Sequence, residues 1–431
     1  MIPPRVWLLA AAGPAFVLCS AMAQAQTAPA ASPADAPAAP PAASNPPPAA
    51  TVGPVSITGV AVLDSMSLVA GGVHPGSKIL TKAAVSASYD GSNDGHEGLS
   101  ALASMQFAGG GHISANNIGD IQVIDNIEAS NALRIYEVWI AHQYGGGKFG
   151  WKAGLTDLNA DFDTQQVASL FINSSDGTGA ELGHSGLNGP SIFPTTALAI
   201  SGFARIGLST IVRAGLFDGT SGTPYHPGVF AIRVSGLDGA LFIAQVEKTL
   251  PGGVRLVGGA WTYTSLFGAQ HSADAAGNPI PFRPQRGAFG LVEGTITHMG
   301  DDGERGLSAW ARLGTGDPVI QRISGYIGAG LVFTGPIAKR AGDQIGLSIN
   351  RALVEQPIPL PIPAPDQQLA ETAFELTYKY NAKDWLAIQP DAQMVIHPNG
   401  DPAIPTAFVI GIRFSLTLTK SLFGKLGVKG P

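Results

Sequence analysis

Apolar and polar residues alternate with the two-residue period of a β-strand along most of the chain after residue 54. Over 371–380, one face carries aromatic and aliphatic side chains, whereas the other carries Glu375 and Lys379. The segments 385–396 and 406–418 repeat this pattern. Such alternation fits either a sandwich with an apolar core or a barrel in lipid with a polar lumen, and alternation alone does not distinguish the two.

Seventeen segments carry the pattern, and most reach the roughly 9–11 residues that a tilted transmembrane strand needs. The segments are 55–70, 78–90, 97–109, 131–144, 147–158, 195–207, 209–217, 228–235, 239–249, 253–264, 287–298, 305–314, 323–334, 343–353, 369–380, 384–396 and 406–418. The clearly short connections are 145–146, 208, 250–252 and 381–383, and the clearly long ones are 110–130, 159–194, 218–238, 265–286, 354–368 and 397–405.

The order of short and long connections favours a membrane barrel, because outer-membrane barrels have short periplasmic turns and long extracellular loops. With all seventeen segments counted as spans, the long connection 265–286 would fall on the short-turn side. Assigning 228–235 to the loop between its neighbours restores the alternation and leaves sixteen strands. We therefore predict an all-β fold, a transmembrane antiparallel β-barrel of about sixteen strands.

Composition supports the same class. Hydrophobic residues make up 45% of the chain and charged residues 13%, about half the usual charged share. Beyond residue 25 no apolar run is long enough for a transmembrane helix, which leaves a closed barrel as the way to cross a membrane. The formal net charge of −6 argues against nucleic acid as a partner.

The first residues predict export. Residues 1–25 combine a basic start, an apolar run and the small-residue pattern Ala23-Gln24-Ala25, as in a secretory signal peptide; a retained membrane anchor is the alternative. Residues 26–53 are Ala/Pro-rich and are predicted to be a disordered periplasmic segment. The barrel is expected over 54–418, with a C-terminal tail over 419–431.

The connection 159–194 contains the segment Ser169–Pro194, which is rich in Gly but also holds many apolar residues. Because this composition suits neither a strand nor a solvated linker, we predict that the loop folds inward and narrows the lumen. A loop that caps the barrel from outside is the alternative. The side chains expected to offer hydrogen bonds to a passing solute are Asn173, Ser174, Ser175, Asp176 and Asn188.

Strand phase places several ionisable residues on the lumen side, since Arg or Lys facing lipid at mid-depth costs about 2–4 kcal/mol. Some of them are expected only to form ion pairs along the wall. Arg134 and Glu137 have opposite parity on one strand, so at most one of the two is expected to face the lumen. The predicted lumen residues are Arg205, Arg213, Arg312, Glu375, Lys379, Asp391 and Arg413.

Motifs for catalysis or cofactor binding are missing from the chain. The single cysteine, Cys19, lies in the predicted signal peptide, and the nine His show no metal-ligand spacing. Gly183-His-Ser-Gly186 lacks the spacing of a hydrolase nucleophile elbow. We predict no enzyme, catalytic residue, metal or cofactor, although a hydrolase stays an alternative because a fold alone does not determine function.

Several segments resemble the carbohydrate-selective porins of the OprB type, over nearly the whole region after the Ala/Pro-rich segment. The resemblance implies a sixteen-stranded outer-membrane barrel that passes mono- or oligosaccharides by diffusion, surrounded by outer-membrane lipid, inserted by the barrel-assembly machinery and either monomeric or oligomeric. The aromatic residue that usually ends such barrels is absent, because 419–431 follow the last predicted strand. The matching segments include Leu133–Trp139, Gly154–Phe162, Ser185–Pro194, Glu371–Tyr380 and Ala407–Phe414.

Three other functions remain open at this point. The predicted lumen arginines suggest a general or anion-preferring porin. A surface-binding barrel without transport and a periplasmic lectin-like sandwich are the non-transporting alternatives.

Overall fold

The computed structural model describes residues 54–222, 239–269, 280–299, 305–355 and 369–422. Within these ranges sixteen antiparallel strands each pair with the next, and β1 pairs with β16 to close the barrel. The strands are β1 (Val55–Ala70), β2 (Gly76–Asp90), β3 (Leu99–Gly109), β4 (Ala132–Tyr144), β5 (Phe149–Thr156), β6 (Ala197–Ile206), β7 (Thr210–Asp218), β8 (Ala240–Thr249), β9 (Arg255–Phe267), β10 (Arg283–Met299), β11 (Arg305–Gly316), β12 (Ile323–Thr334), β13 (Gln344–Val354), β14 (Leu369–Lys383), β15 (Leu386–Ile396) and β16 (Ala407–Leu422).

Among the residues that the structure describes, helical structure is confined to single turns in the connections. One α-helical turn, α1 (Ala180–Gly183), lies in the connection between β5 and β6. The other turns are Gly91–Asn93, Ser114–Ile118, Leu158–Ala160, Val167–Leu170, Ser174–Asp176 and Pro398–Gly400. In the part of the chain that the structure describes, no helix is long and apolar enough to span a membrane.

The closed sheet confirms the predicted barrel, and the clearly long connections lie at one end of it and the clearly short ones at the other, as the parity argument required. The segment 228–235 and the predicted signal peptide, 1–25, lie outside the described residues, as do 26–53. The last strand continues to Leu422, beyond the expected limit at 418, because Thr419 to Leu422 pair with the first residues of β1. The described part of the expected tail is therefore strand.

Apolar side chains cover the outside of the barrel. Leu216 and Leu313 are 46% and 60% exposed, although both lie within strands. Arg213 and Arg312, on the same strands, lie on the opposite face and point into the lumen, as strand phase predicts. Because lipid surrounds an outer-membrane barrel, an apolar exterior is the favourable arrangement.

A β-bulge in β4 overturns one expectation. Ser104 pairs with Glu137 and Met105 pairs with Ile135, so Tyr136 is an extra residue on β4. The extra residue reverses the parity of the strand, and both Arg134 and Glu137 become buried on the inner side. The prediction that at most one of them faces the lumen is wrong for this reason.

The apolar core lies inside the barrel, where two extracellular loops pack against the wall. The β3–β4 loop (110–131) packs against the extracellular ends of β14–β16 and β1–β2, with Ile113, Ile118 and Ile124 buried. The β5–β6 loop (157–196) packs against inward residues of β7–β12. Both loops thus occupy the lumen instead of capping it from outside.

Candidate pore constriction

Apolar side chains on the inner wall of β8–β12 pack against the β5–β6 loop. Trp261, Phe289 and Trp310 are buried on this wall and form one cluster with loop residues that include Phe171 and Leu182. The rings of Phe171 and Trp310 are 6.5 Å apart. Burial of such large side chains holds the loop against this part of the lumen wall.

Arg312 on β11 clamps the β5–β6 loop to this wall. Its guanidinium donates two hydrogen bonds to Asp163, of 2.8 and 2.7 Å, and two to Glu181, of 3.0 and 2.7 Å. All three side chains are fully buried. Glycine is needed on both sides of the clamp, because a Cβ on Gly179 would lie 1.7 Å from Arg312 Nη1 and one on Gly314 would lie 2.1 Å from Glu181 Oε1.

Wall glutamates hold the loops by accepting backbone hydrogen bonds. Glu375 accepts from the amides of Ile172 and Asn173, at 2.6 and 2.8 Å. Glu293 binds the β5–β6 loop in the same way, and Glu371 binds the β3–β4 loop. A carboxylate between two backbone N–H groups makes charge-assisted hydrogen bonds, so these residues are anchors of the loops.

The expected contact of the loop tip with solute is contradicted by burial. Asn173, Ser174, Ser175 and Asp176 are all at most 3% exposed. The Asn173 side chain accepts from the Ser175 amide and donates to Gln393, while Asp176 accepts from Ser348 and Asn350. These polar groups are used to fix the loop to β13 and β15, because a loop packed in the lumen must satisfy its own buried polar atoms.

Asn188 is also an anchor and does not face a solute. Its side chain is 5% exposed and donates a hydrogen bond to the carbonyl of Ser221, and the Ser221 hydroxyl donates to the Asn188 carbonyl at 3.1 Å. The contact joins the β5–β6 loop to the loop that follows β7.

Two predicted lumen arginines lie away from the loop tip. Arg205 is exposed at the periplasmic end of β6, where it donates to the Gly147 carbonyl at 3.1 Å. The structure therefore places it at the rim and not at a constriction. Arg213 forms an ion pair of 2.9 Å with Glu247, which also pairs with Arg255 at 3.1 Å, so it belongs to a network along the wall.

The three remaining predicted residues lie on β14–β16, facing inward. Arg413 forms ion pairs with Asp64 of β1, at 2.6 Å, and with Asp125 of the β3–β4 loop, at 3.2 Å. Asp391 accepts from the side chain of Gln393 at 2.9 Å. Lys379 is partly buried on the face that carries Glu375.

Three charged residues that the sequence analysis did not name as lumen residues also lie inside the lumen. Lys152 pairs with Asp161 at 2.5 Å, and its ammonium lies 5.0 Å from the ring of Trp139. Lys82 lies 5.2 Å from the ring of Phe193, near the end of the β5–β6 loop. Strand phase would have selected Lys82 and Lys152, which lie in predicted strands, whereas no local pattern marks Asp161, which lies in the loop.

Burial shifts the pKa of two groups in the β5–β6 loop. Desolvation lowers the pKa of His184 to about 4, so the imidazole is neutral and its Nε2 lies 2.8 Å from the Ile121 carbonyl of the β3–β4 loop. Desolvation raises the pKa of Asp157 to about 6, although the Tyr136 hydroxyl donates to it at 2.5 Å. His184 thus links the two loops, and Asp157 titrates in a physiological range.

Among the described residues, no group of three or more His, Cys, Asp or Glu side chains is arranged to hold a metal ion. The carboxylates of the lumen instead accept hydrogen bonds from arginines and backbone amides.

Comparison with known proteins relates the chain to porins. A model of the carbohydrate-selective porin family, OprB, matches residues 91–418. Porin B of Pseudomonas aeruginosa is 25% identical over 348 residues, which cover 70% of this chain and 74% of that protein.

Solved structures agree in fold. The high-pH structure of Pseudomonas putida OprB matches with a TM-score of 0.73 at 20% identity, over 84% of this chain and 94% of that one. Its low-pH structure matches with a TM-score of 0.54 at 15% identity, over 84% and 92% of the two chains.

Proposed function

Because the chain belongs to the carbohydrate-selective porin family of the OprB type, we propose that sugars cross its lumen on the side that the β5–β6 loop leaves uncovered. The protein is an outer-membrane barrel for passive, sugar-selective diffusion, and such a channel needs no catalytic residue. Within this function, the proposal concerns where the sugar passes and which side chains it meets.

The observation that carries the proposal is the different exposure of charged side chains around the lumen. The β5–β6 loop covers the wall of β8–β12, where the side chains of Glu293 and Arg312 are only 2% and 0% exposed. Charged side chains outside this wall remain partly open: Lys152 on β5 and its loop partner Asp161 are 16% and 28% exposed, and Arg413 on β16 is 11% exposed. Partly open ion pairs offer both donors and acceptors, which is what a solute with many hydroxyls needs in place of water.

Trp139 adds an apolar surface to this passage. Its indole N–H donates to Glu137 at 3.2 Å, and its ring contacts the Lys152 ammonium. An indole face is suited to the C–H face of a pyranose, because that face is apolar. Mono- and short oligosaccharides are therefore the solutes that we propose, with outer-membrane lipid and the barrel-assembly machinery as the other partners.

A general or anion-preferring channel is less well supported. The arginines that suggested it are largely neutralised, since Arg213, Arg312 and Arg413 each pair with at least one carboxylate. The exposed Arg205 lies at the periplasmic rim, away from the loops.

The proposed passage is tested by Trp139→Ala and Lys152→Gln in planar bilayers. We expect both variants to conduct ions while glucose or maltotriose blocks the current less than in the unmodified channel. Arg205→Gln is the control and should keep the full block, because Arg205 lies at the rim. Unchanged block in both lumen variants would place the passage elsewhere, and heat-modifiable migration on a gel verifies that each barrel is folded.

A further inference from the structure

The outer face of β8–β11 carries a groove of about 690 Å³ in a surface that is otherwise covered by large apolar side chains. Its floor is a row of three alanines in hydrogen-bonded register, Ala244 on β8, Ala260 on β9 and Ala288 on β10. Outward side chains alternate with inward ones, so these small residues face the lipid.

Two glycines extend the strip of small outward residues from the groove toward the periplasm. Gly258 and Gly290 are paired with each other, two residues along from the alanine row. A Cβ added at Gly258 would meet no atom within 4 Å, and one at Gly290 would come no closer than 3.9 Å to the Val257 carbonyl oxygen. Val246 and Leu313, which pair with these glycines and are 48% and 60% exposed, form the two rims. From Arg286 to Gly290 the open strip runs about 13 Å along the strand.

The extracellular end of the groove is basic. Arg286 pairs across the sheet with Thr262, and Thr262 pairs with Phe242, so the row above the alanines joins a cation, a hydroxyl and an aromatic ring. Arg286 is exposed. Arg283, next along the groove, forms an ion pair of 2.5 Å with Asp317. An exposed guanidinium at the edge of an apolar strip is complementary to phosphate above an acyl chain.

The position of this row matches the outer leaflet. Arg286 lies near the end of β10 that leads to the long extracellular connections. In the register row of Arg286 two of the outward residues are polar, Arg286 and Thr262, whereas the next rows along carry Ala260 with Ala288 and then Val246 with Leu313. The groove therefore begins at the lipid headgroups and descends into the acyl-chain region.

We propose that this groove is a binding site for a phosphate-bearing acylated lipid of the outer leaflet, with the phosphate on Arg286 and one acyl chain over Ala260, Ala288 and Gly290. The site lies outside the barrel and is independent of the sugar passage. It holds one lipid in place at the wall against which the β5–β6 loop packs from inside.

The test reconstitutes the full-length protein in phosphatidylcholine nanodiscs doped with phosphatidic acid or with diacylglycerol, which has the same chains without phosphate. Native mass spectrometry then measures the lipid retained per barrel. We expect phosphatidic acid to be retained preferentially, Arg286→Gln to reduce its retention about fivefold, and Gly290→Leu to reduce it by filling the groove. Arg351→Gln is the matched control, because Arg351 lies on β13, outside the groove, where it donates to Thr372 at 2.9 Å.

Equal retention by Arg286→Gln and the unmodified protein, or equal retention of the two lipids, would overturn the proposal. A second copy of the chain seated in the groove would overturn it as well, and Thr262→Cys would reveal that contact as a disulfide-linked dimer. Unchanged glucose block of the current in Arg286→Gln and Gly290→Leu shows that both variants are folded. A lower retention of phosphatidic acid then reflects the change in the groove.

Discussion

Replacing Arg312 should release the part of the β5–β6 loop that it clamps. Arg312→Ala removes four charge-assisted hydrogen bonds and leaves Asp163 and Glu181 buried without a countercharge. Removing one partner of a buried ion pair costs about 3–5 kcal/mol, which corresponds to a roughly 10²- to 10⁴-fold larger population of the detached segment. The anchors at Glu375 and Glu293 are untouched, so detachment should be confined to the region around Asp163 and α1.

The measurement is a liposome-swelling series with sugars of increasing size, combined with single-channel recording. We expect Arg312→Ala to admit larger sugars and to conduct with more current noise, because a detached segment moves within the lumen. Arg205→Ala is the matched control: it removes the same charge without contacting the loop, and it should leave the size limit unchanged.

A second variant separates the loss of the Arg312 clamp from the cost of leaving Asp163 and Glu181 buried without a countercharge. In Arg312→Met with Asp163→Asn and Glu181→Gln, no uncompensated charge remains, and neutral groups of similar size often replace buried ion pairs at little cost. We expect the size limit of this variant to lie close to that of the unmodified channel. If Arg312→Ala itself leaves both the size limit and the noise unchanged while the barrel is folded, the clamp does not position the loop and the reasoning is refuted.

Other contacts of the same loop lead to three further predictions. Gly179→Ala should act like the loss of Arg312, because the new Cβ would lie 1.7 Å from the guanidinium, whereas Gly258→Ala places its Cβ in open space and is the control in the same swelling series. Glu375→Gln should make the amides of Ile172 and Asn173 exchange hydrogen roughly 10- to 100-fold faster, since it removes the charge from two hydrogen bonds; unchanged exchange would count against the anchor. Lowering the pH from about 7 to about 5 should protonate Asp157, whose pKa is about 6, and so remove a negative charge near Lys82 and Lys152. The lumen should then become more anion-selective, which a reversal potential across a salt gradient measures. Asp157→Asn should lack this pH-dependent change in selectivity.

Much of the fold follows from local patterns that can be read directly from the sequence. A strand exposes alternate residues to lipid and to the lumen, so the period of two shows both its extent and its inward side, as at Leu313 and Arg312. The lengths of the connections then decide which segments span the membrane. That is why the barrel, the number of strands described and the inward side of Arg213 could be predicted, whereas the β4 bulge, one unpaired residue at Tyr136, could not.

The role of the loop tip is what the tertiary structure decided. The composition of Ser169–Pro194 showed that the loop has apolar side chains to pack on the wall and polar side chains to bind a solute. It did not show which polar groups would instead hydrogen-bond to the wall. Asn173 and Asp176 became anchors because Gln393, Ser348 and Asn350 meet them across the closed barrel. Arg312 meets Asp163 from 149 positions away. Whether a polar side chain faces a solute depends on such distant partners. A buried polar group needs a hydrogen-bond partner, and closure of the barrel decides which residue lies close enough to provide it.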